Sequence, residues 1–178
     1  GNVTTKSIEI ANINKEAPKI TIEPYNKDWT NKNVVVKAKT NKGVLNKESH
    51  TFTENGSFTF TATDEAGNTA SKTVKVTNID KTKPSLSLSA STTNPTNQNV
   101  TITAKASDNE SGVDKIILPD GKTGTSYTVS KNGVYEFKAY DKVGNVTTKS
   151  IEIANINKEA PIITIEPYET EWTNKDIT

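Results

Sequence analysis

The sequence predicts an all-β chain of small antiparallel β-sandwiches, and three observations carry that prediction. Short runs alternate strictly between apolar and polar residues, the period of a half-buried strand. Turn residues recur at regular spacing between those runs. The chain also repeats itself at long offsets, so one small folding unit is used more than once. No stretch holds a helical period, and short strands joined by tight turns argue for sandwiches over βαβ units.

In chain order, Ile20 and Ile22 open the first expected strand. Val34, Val36 and Ala38 alternate along the next, and Ser57-Phe58-Thr59-Phe60-Thr61-Ala62 along another. Val74 and Val76 close the first set. The second set is Leu86 with Leu88, then Val100, Ile102 and Ala104, then Val134-Tyr135-Glu136-Phe137-Lys138-Ala139, then Ile151 with Ile153. Thr, Val and Ile suit a pleated surface. Two turns share the pattern Asp-x-x-Gly-Asn, at Asp64–Asn68 and Asp141–Asn145. Their Asp can accept hydrogen bonds from backbone N–H groups of the turn, and their Gly takes the left-handed conformation of a bulged hairpin. Asn55-Gly56, Asn132-Gly133 and Asp120-Gly121 read as further hairpin signals.

The repeats set the domain boundaries. Residues 1–18 recur letter for letter at 144–161. Pro18 onward aligns to Pro84 onward at an offset of 66, and Asn55 onward aligns to Asn132 onward at an offset of 77. The second unit is therefore longer by 11 residues, which we place near Asp108–Leu118. The expected organisation is the last strand of one unit at 1–14, a short unit at 15–79, a full unit at 80–156, and the first strands of another at 157–178. In the short unit the middle strand pair should be shortened or missing. The connectors read NINKEAP, NIDKTKP and NINKEAP, each ending on a Pro that opens the next strand. So short a connector with one fixed φ is a semi-rigid hinge.

These motifs resemble a known family. The run Asn132-Gly133-x-Tyr135-x-Phe137-x-Ala139-x-Asp141-x-x-Gly144-Asn145, with Asn78-Ile79-Asp80-Lys81 and Pro84 in the connector, is similar to bacterial immunoglobulin-like repeats related in shape to fibronectin type III modules. The resemblance covers essentially the whole chain. It implies tandem immunoglobulin-like antiparallel β-sandwiches in a large extracellular or cell-surface protein, most often of a Gram-positive bacterium. It implies a structural spacer or stalk that projects a functional domain from a cell wall or enzyme core. The alternative is an adhesive or carbohydrate-binding module for host protein or glycan. The family's motif residues are architectural, so no catalytic residue is carried over, and an enzyme is not expected.

Composition excludes other classes. With 22 Lys+Arg against 21 Asp+Glu the net charge is +1, so nothing points to nucleic acid. Every basic residue is Lys, and Arg, the better bidentate phosphate ligand, is absent. Without Cys there are no disulfides or thiolate metal sites. No apolar run approaches the roughly 20 residues that span a bilayer. Hydrophobic content of 31% fits two small cores better than one large one.

Few side chains invite chemistry. His50 is the only His, and its counterpart is Tyr127, so it reads as an aromatic filling a strand position. Neither a Cys nor paired acids accompany it as a base would need. Trp29 and Trp172 share a repeat position, with Tyr25 and Tyr168 nearby, and the second unit has Pro95 and Ser91 there. A ring capping the open end of a small core is the expected role, with sugar stacking as the alternative. No cofactor is expected, and calcium is the most plausible one to weigh. Asp108, Asn109, Glu110 and Asp114 cluster in one loop, and Asp80 sits in the connector. Hard cations want six or more oxygens, but the spacing matches no dedicated calcium loop, so the expectation is a solvated acidic turn and no metal site. Partial units would also expose sheet edges, through which copies could associate head to tail.

Overall fold

The computed structural model describes residues 1–165 apart from Ile10 and Asn12, together with Trp172 and Asp176. All regular structure among them is β, and no helix is long and apolar enough to cross a membrane. The first unit contains β1 (Ile20–Ile22), β2 (Val34–Thr40), β3 (Val44–Leu45), β4 (Ser49–Phe52), β5 (Gly56–Thr63) and β6 (Thr69–Val76). The second contains β7 (Ser85–Ala90), β8 (Val100–Ser107), β9 (Val113–Ile117), β10 (Ser126–Val129), β11 (Gly133–Asp141) and β12 (Val146–Ile153).

The same plan occurs twice. The first unit pairs β1-β2-β4 in one sheet and β3-β5-β6 in the other. The second pairs β7-β8-β10 and β9-β11-β12. Every ladder is antiparallel. Each core lies between its two sheets, as in a β-sandwich. Val34, Val36 and Phe52 meet Phe60, Val74 and Val76 in the first, while Val100, Ile102 and Val129 meet Phe137, Ala139 and Ile153 in the second. Alternation dictates this, because in β2 the buried residues are Val34, Val36 and Ala38 while Val35, Lys37 and Lys39 face out.

The extra residues of the second unit are split. Leu45 pairs with Ala62, and Ile116 pairs with Ala139, the repeat counterpart of Ala62. The offset is thus 66 through Ala38 and Ala104, 71 at Leu45 and Ile116, and 77 at Phe52 and Val129. Five additions build the loop before β9 and the bulge at Tyr140/Asp141, and six form the hairpin after it. There Gly121 has φ 82° and Leu118 N–H donates to Lys122 O. The middle strand of the short unit is accordingly reduced to the two residues Val44–Leu45.

One expectation is corrected. Asn55-Gly56 and Asn132-Gly133 do not turn hairpins, because the strands they join belong to different sheets and neither Gly has positive φ. The segments at 1–14 and 157–178 form no strand among their described residues, and Val3, Ile8 and Ile163 are exposed. The first has the same sequence as β12, which is ordered by pairing with β11. Strand formation here depends on a partner, not on propensity.

Candidate functional site

The side chains that converge do so at the connector Asn78–Pro84, between β6 and β7. Its first residues are bound to the first unit. Ile79 is buried in that core and forms a parallel bridge with Thr30. Asn55 clamps it, accepting from Ile79 N–H and donating to Ile79 O, both at 2.8 Å. Asn78 donates to Asp28 O at 2.7 Å, and Lys81 Nζ donates to Asn33 Oδ1 at 2.7 Å. The second unit repeats the device. Asn132 clamps Ile156, Asn155 donates to Asn94 O, and Lys158 reaches Asn99.

The later connector residues are bound to the second unit. Asn145 Nδ2 donates to Asp80 O and Thr82 O at 3.1 Å each. Thr147 donates to Pro84 O, and Pro84 itself is fully buried. Asn145 is the last residue of the Asp141 turn, in which Asp141 Oδ1 accepts from Val143 N–H and Asn145 N–H. Gly144 has φ 91°, where a side chain would be strained. Asp64 and Gly67 build the same turn in the first unit, with Asp64 Oδ1 accepting from Ala66 N–H and Asn68 N–H.

An acidic cluster sits against this joint. One carboxylate oxygen from each of Asp80, Asp108 and Asp141 lies within 4.8 Å of the others. Asp80 is 0% exposed and Asp141 2%. Asp80 accepts from Thr82 N–H and Ser111 N–H, and Asp108 Oδ1 accepts from Glu110 N–H and Gly112 N–H. Burial pushes the Asp80 pKa up, but the Ser111 hydroxyl and amide, the Glu110 carboxyl and the Thr82 amide outweigh it and hold it below the ordinary value. Asp80 in turn pushes the neighbouring Glu110 carboxyl up. Ser111 is 5% exposed, and its hydroxyl is turned to Asp80 without a hydrogen bond of normal geometry to any atom. No lysine among the described residues forms an ion pair with the three carboxylates. The Lys142 ammonium lies over Gly112.

The first unit resolves the same place differently. Asn14 stands at the position of Asp80 and donates to Asp64 Oδ2 at 3.1 Å. Lys42, from the β2–β3 loop, places its ammonium 3.4 Å from Asp64 Oδ2 and 2.6 Å from Glu16 O. Asn68 donates to Asn14 O at 3.0 Å. The buried Asp64 carboxylate, the exposed Glu16 carboxylate, one amide and the Lys42 ammonium that pairs with both acids occupy the joint where the second unit has Asp80, Asp108 and Asp141.

The residues singled out by sequence divide clearly. Asp80, Asp108 and Glu110 come together; Asn109 is exposed. Asp114 does not join them, because it lies on β9 facing solvent beside Lys115. Asp141 was expected only as a turn residue, yet its carboxylate is part of the cluster. His50 stacks on Phe58 at 3.9 Å and meets Phe52 edge-on at 4.6 Å, so it fills an aromatic strand position. Tyr25, and not Trp29, packs against the first core, and Trp29 stays 44% exposed. Trp29 is carried outward by the loop that Thr30 fastens to Asn78 and Asp80. Trp172 is exposed, and Tyr168 lies outside the described residues. No protein-family model and no curated protein matches the chain.

Proposed function

We propose that the chain is a run of immunoglobulin-like repeats serving as a spacer in a bacterial extracellular or cell-surface protein, where it holds a functional domain at a distance. The observation that carries this reading is the connector. Asn78, Ile79 and Lys81 are bonded to the unit before it, and Asp80, Thr82 and Pro84 to the unit after it. Few connector residues remain free to bend, so each added unit adds length. The rest of the machinery is architectural too, since the Asn and Asp side chains are spent on turns and clamps. The partners are then neighbouring units of the same chain, and no catalytic role is assigned. Small-angle scattering on runs of two, four and six units tests the reading. The maximum dimension should grow in proportion to unit number; growth as the square root would mean flexible joints and remove the spacer mechanism.

A binding-module reading has one observation in its favour, the half-exposed Trp29 ring beside Tyr25. A glycan array separates the two, because only a binding module gives signal that Trp29→Ala abolishes.

A further inference from the structure

We propose that Asp80, Asp108 and Asp141 form a calcium site that fixes the second unit onto its connector. The inference is independent of the spacer reading, since it concerns what the joint binds and not what the array is for.

Three carboxylates with oxygens within 4.8 Å concentrate negative charge in a place where Asp80 and Asp141 have almost no contact with water. Like charges so placed repel, and a cation among them would offset that repulsion. Glu110 adds a fourth carboxyl beside Asp80. The buried Ser111 hydroxyl, turned to Asp80 with no partner of its own, is a further oxygen ready to ligate. Oxygens bound to one calcium at about 2.3–2.6 Å stand at most about 5 Å apart, which matches the cluster, and calcium takes six to eight oxygens in flexible geometry. An all-oxygen set of carboxylates and hydroxyl suits a hard cation and offers nothing to a softer metal.

The first unit supplies the independent comparison. At the equivalent joint the chain provides its own cation, the Lys42 ammonium on Asp64, and replaces Asp80 by Asn14. The second unit loses the ammonium and gains the Asp80 and Asp108 carboxylates, with Thr82 standing where the first unit has the exposed Glu16. The exchange makes sense if a metal ion does there what Lys42 does in the first unit. The connector backbone is held from both sides of the cluster, so the ion would tie Asp80 in the connector to Asp108 before β9 and Asp141 at the end of β11.

The test uses the whole chain, stripped with a chelator and titrated with calcium chloride or, separately, magnesium chloride. We expect one calcium per chain by titration calorimetry. We also expect the second unit's melting transition to rise by about 10 °C at a hundredfold excess over Kd, with the first unit's transition unmoved. Asp108→Asn keeps an oxygen for the Glu110 and Gly112 amides and should weaken binding at least about tenfold. Its metal-free melt shows that it folds. Asp114→Asn, outside the cluster, should bind as the unaltered chain does. Absence of saturable binding at about 10 mM calcium overturns the proposal. So does binding indifferent to Asp108→Asn, an equal loss in Asp114→Asn, or equal upward shifts of both transitions. Magnesium binding as tightly as calcium overturns the choice of metal.

Discussion

Asn145 donates through one amide nitrogen to the Asp80 carbonyl at 3.1 Å, while also reaching Thr82 O and the Asp141 carboxylate. A turn residue between β11 and β12 thereby holds the connector that entered the unit 65 residues earlier. Asn145→Ala should destabilise the second unit by about 1–3 kcal/mol, since it leaves the part-buried Asp80 carbonyl and the buried Asp141 carboxylate short of a donor and frees the exposed Thr82 carbonyl. Denaturant titration with unit-resolved probes measures this. Loss from the first unit, or none at all, would refute the assignment.

The Asn55 and Asn132 clamps make a paired prediction. Each side chain both donates to and accepts from the backbone of one buried Ile, Ile79 or Ile156. Two hydrogen bonds at about 1 kcal/mol each give an expected loss of about 2 kcal/mol for Asn55→Ala in the first unit and Asn132→Ala in the second. An Asp at either position can accept but not donate, so it should recover only part of the loss. Thermal melts of the four variants check the order alanine, aspartate, asparagine.

How much of this was legible in the sequence depends on the range of the interaction. Alternation in β2, β5, β8 and β11 states which residues are buried, because the period of a strand is local. The Asp-x-x-Gly-Asn turns are local too, and Asp64 and Asp141 accept from the amides that the pattern implies. The acidic cluster is not. Asp141 meets Asp80 and Asp108 only after the sandwich closes, whereas Asp114 lay close to Asp108 in sequence and faces solvent at the break in register where Lys115 pairs with Tyr140 and Val113 with Asp141. Asn55 misled for a related reason, as Asn-Gly is a strong hairpin signal and its side-chain target, Ile79, is 24 residues distant.

The two cores share no strand, so they should melt separately. Phe60 and Phe137 are each fully buried at the centre of their own cluster. Phe60→Ala should cost the first unit about 3–5 kcal/mol, and Phe137→Ala the same for the second, through lost burial and the cavity left behind. Differential scanning calorimetry should show one transition lowered in each variant and the other in place. A joint shift would mean that the connector makes the units one cooperative body.

Acid should act on the first unit through Asp64. The Asn68 side-chain amide holds the Asp64 carboxyl below its ordinary pKa; burial opposes this, and the Asn68 backbone amide and the Lys42 ammonium add to it. A pKa lower in the folded than in the unfolded chain means that the unfolded chain binds the proton more readily. The stabilising contribution is therefore fully present above the unfolded value, near pH 4, and is lost as pH falls through the folded value. Urea titrations at pH 7 and pH 3, followed by Trp29 in the first unit, should show a drop that Asp64→Asn makes smaller. Lys42→Ala should also reduce the drop, because it removes one of the causes that lower the pKa. Equal acid sensitivity in all three chains would place the titrating group elsewhere.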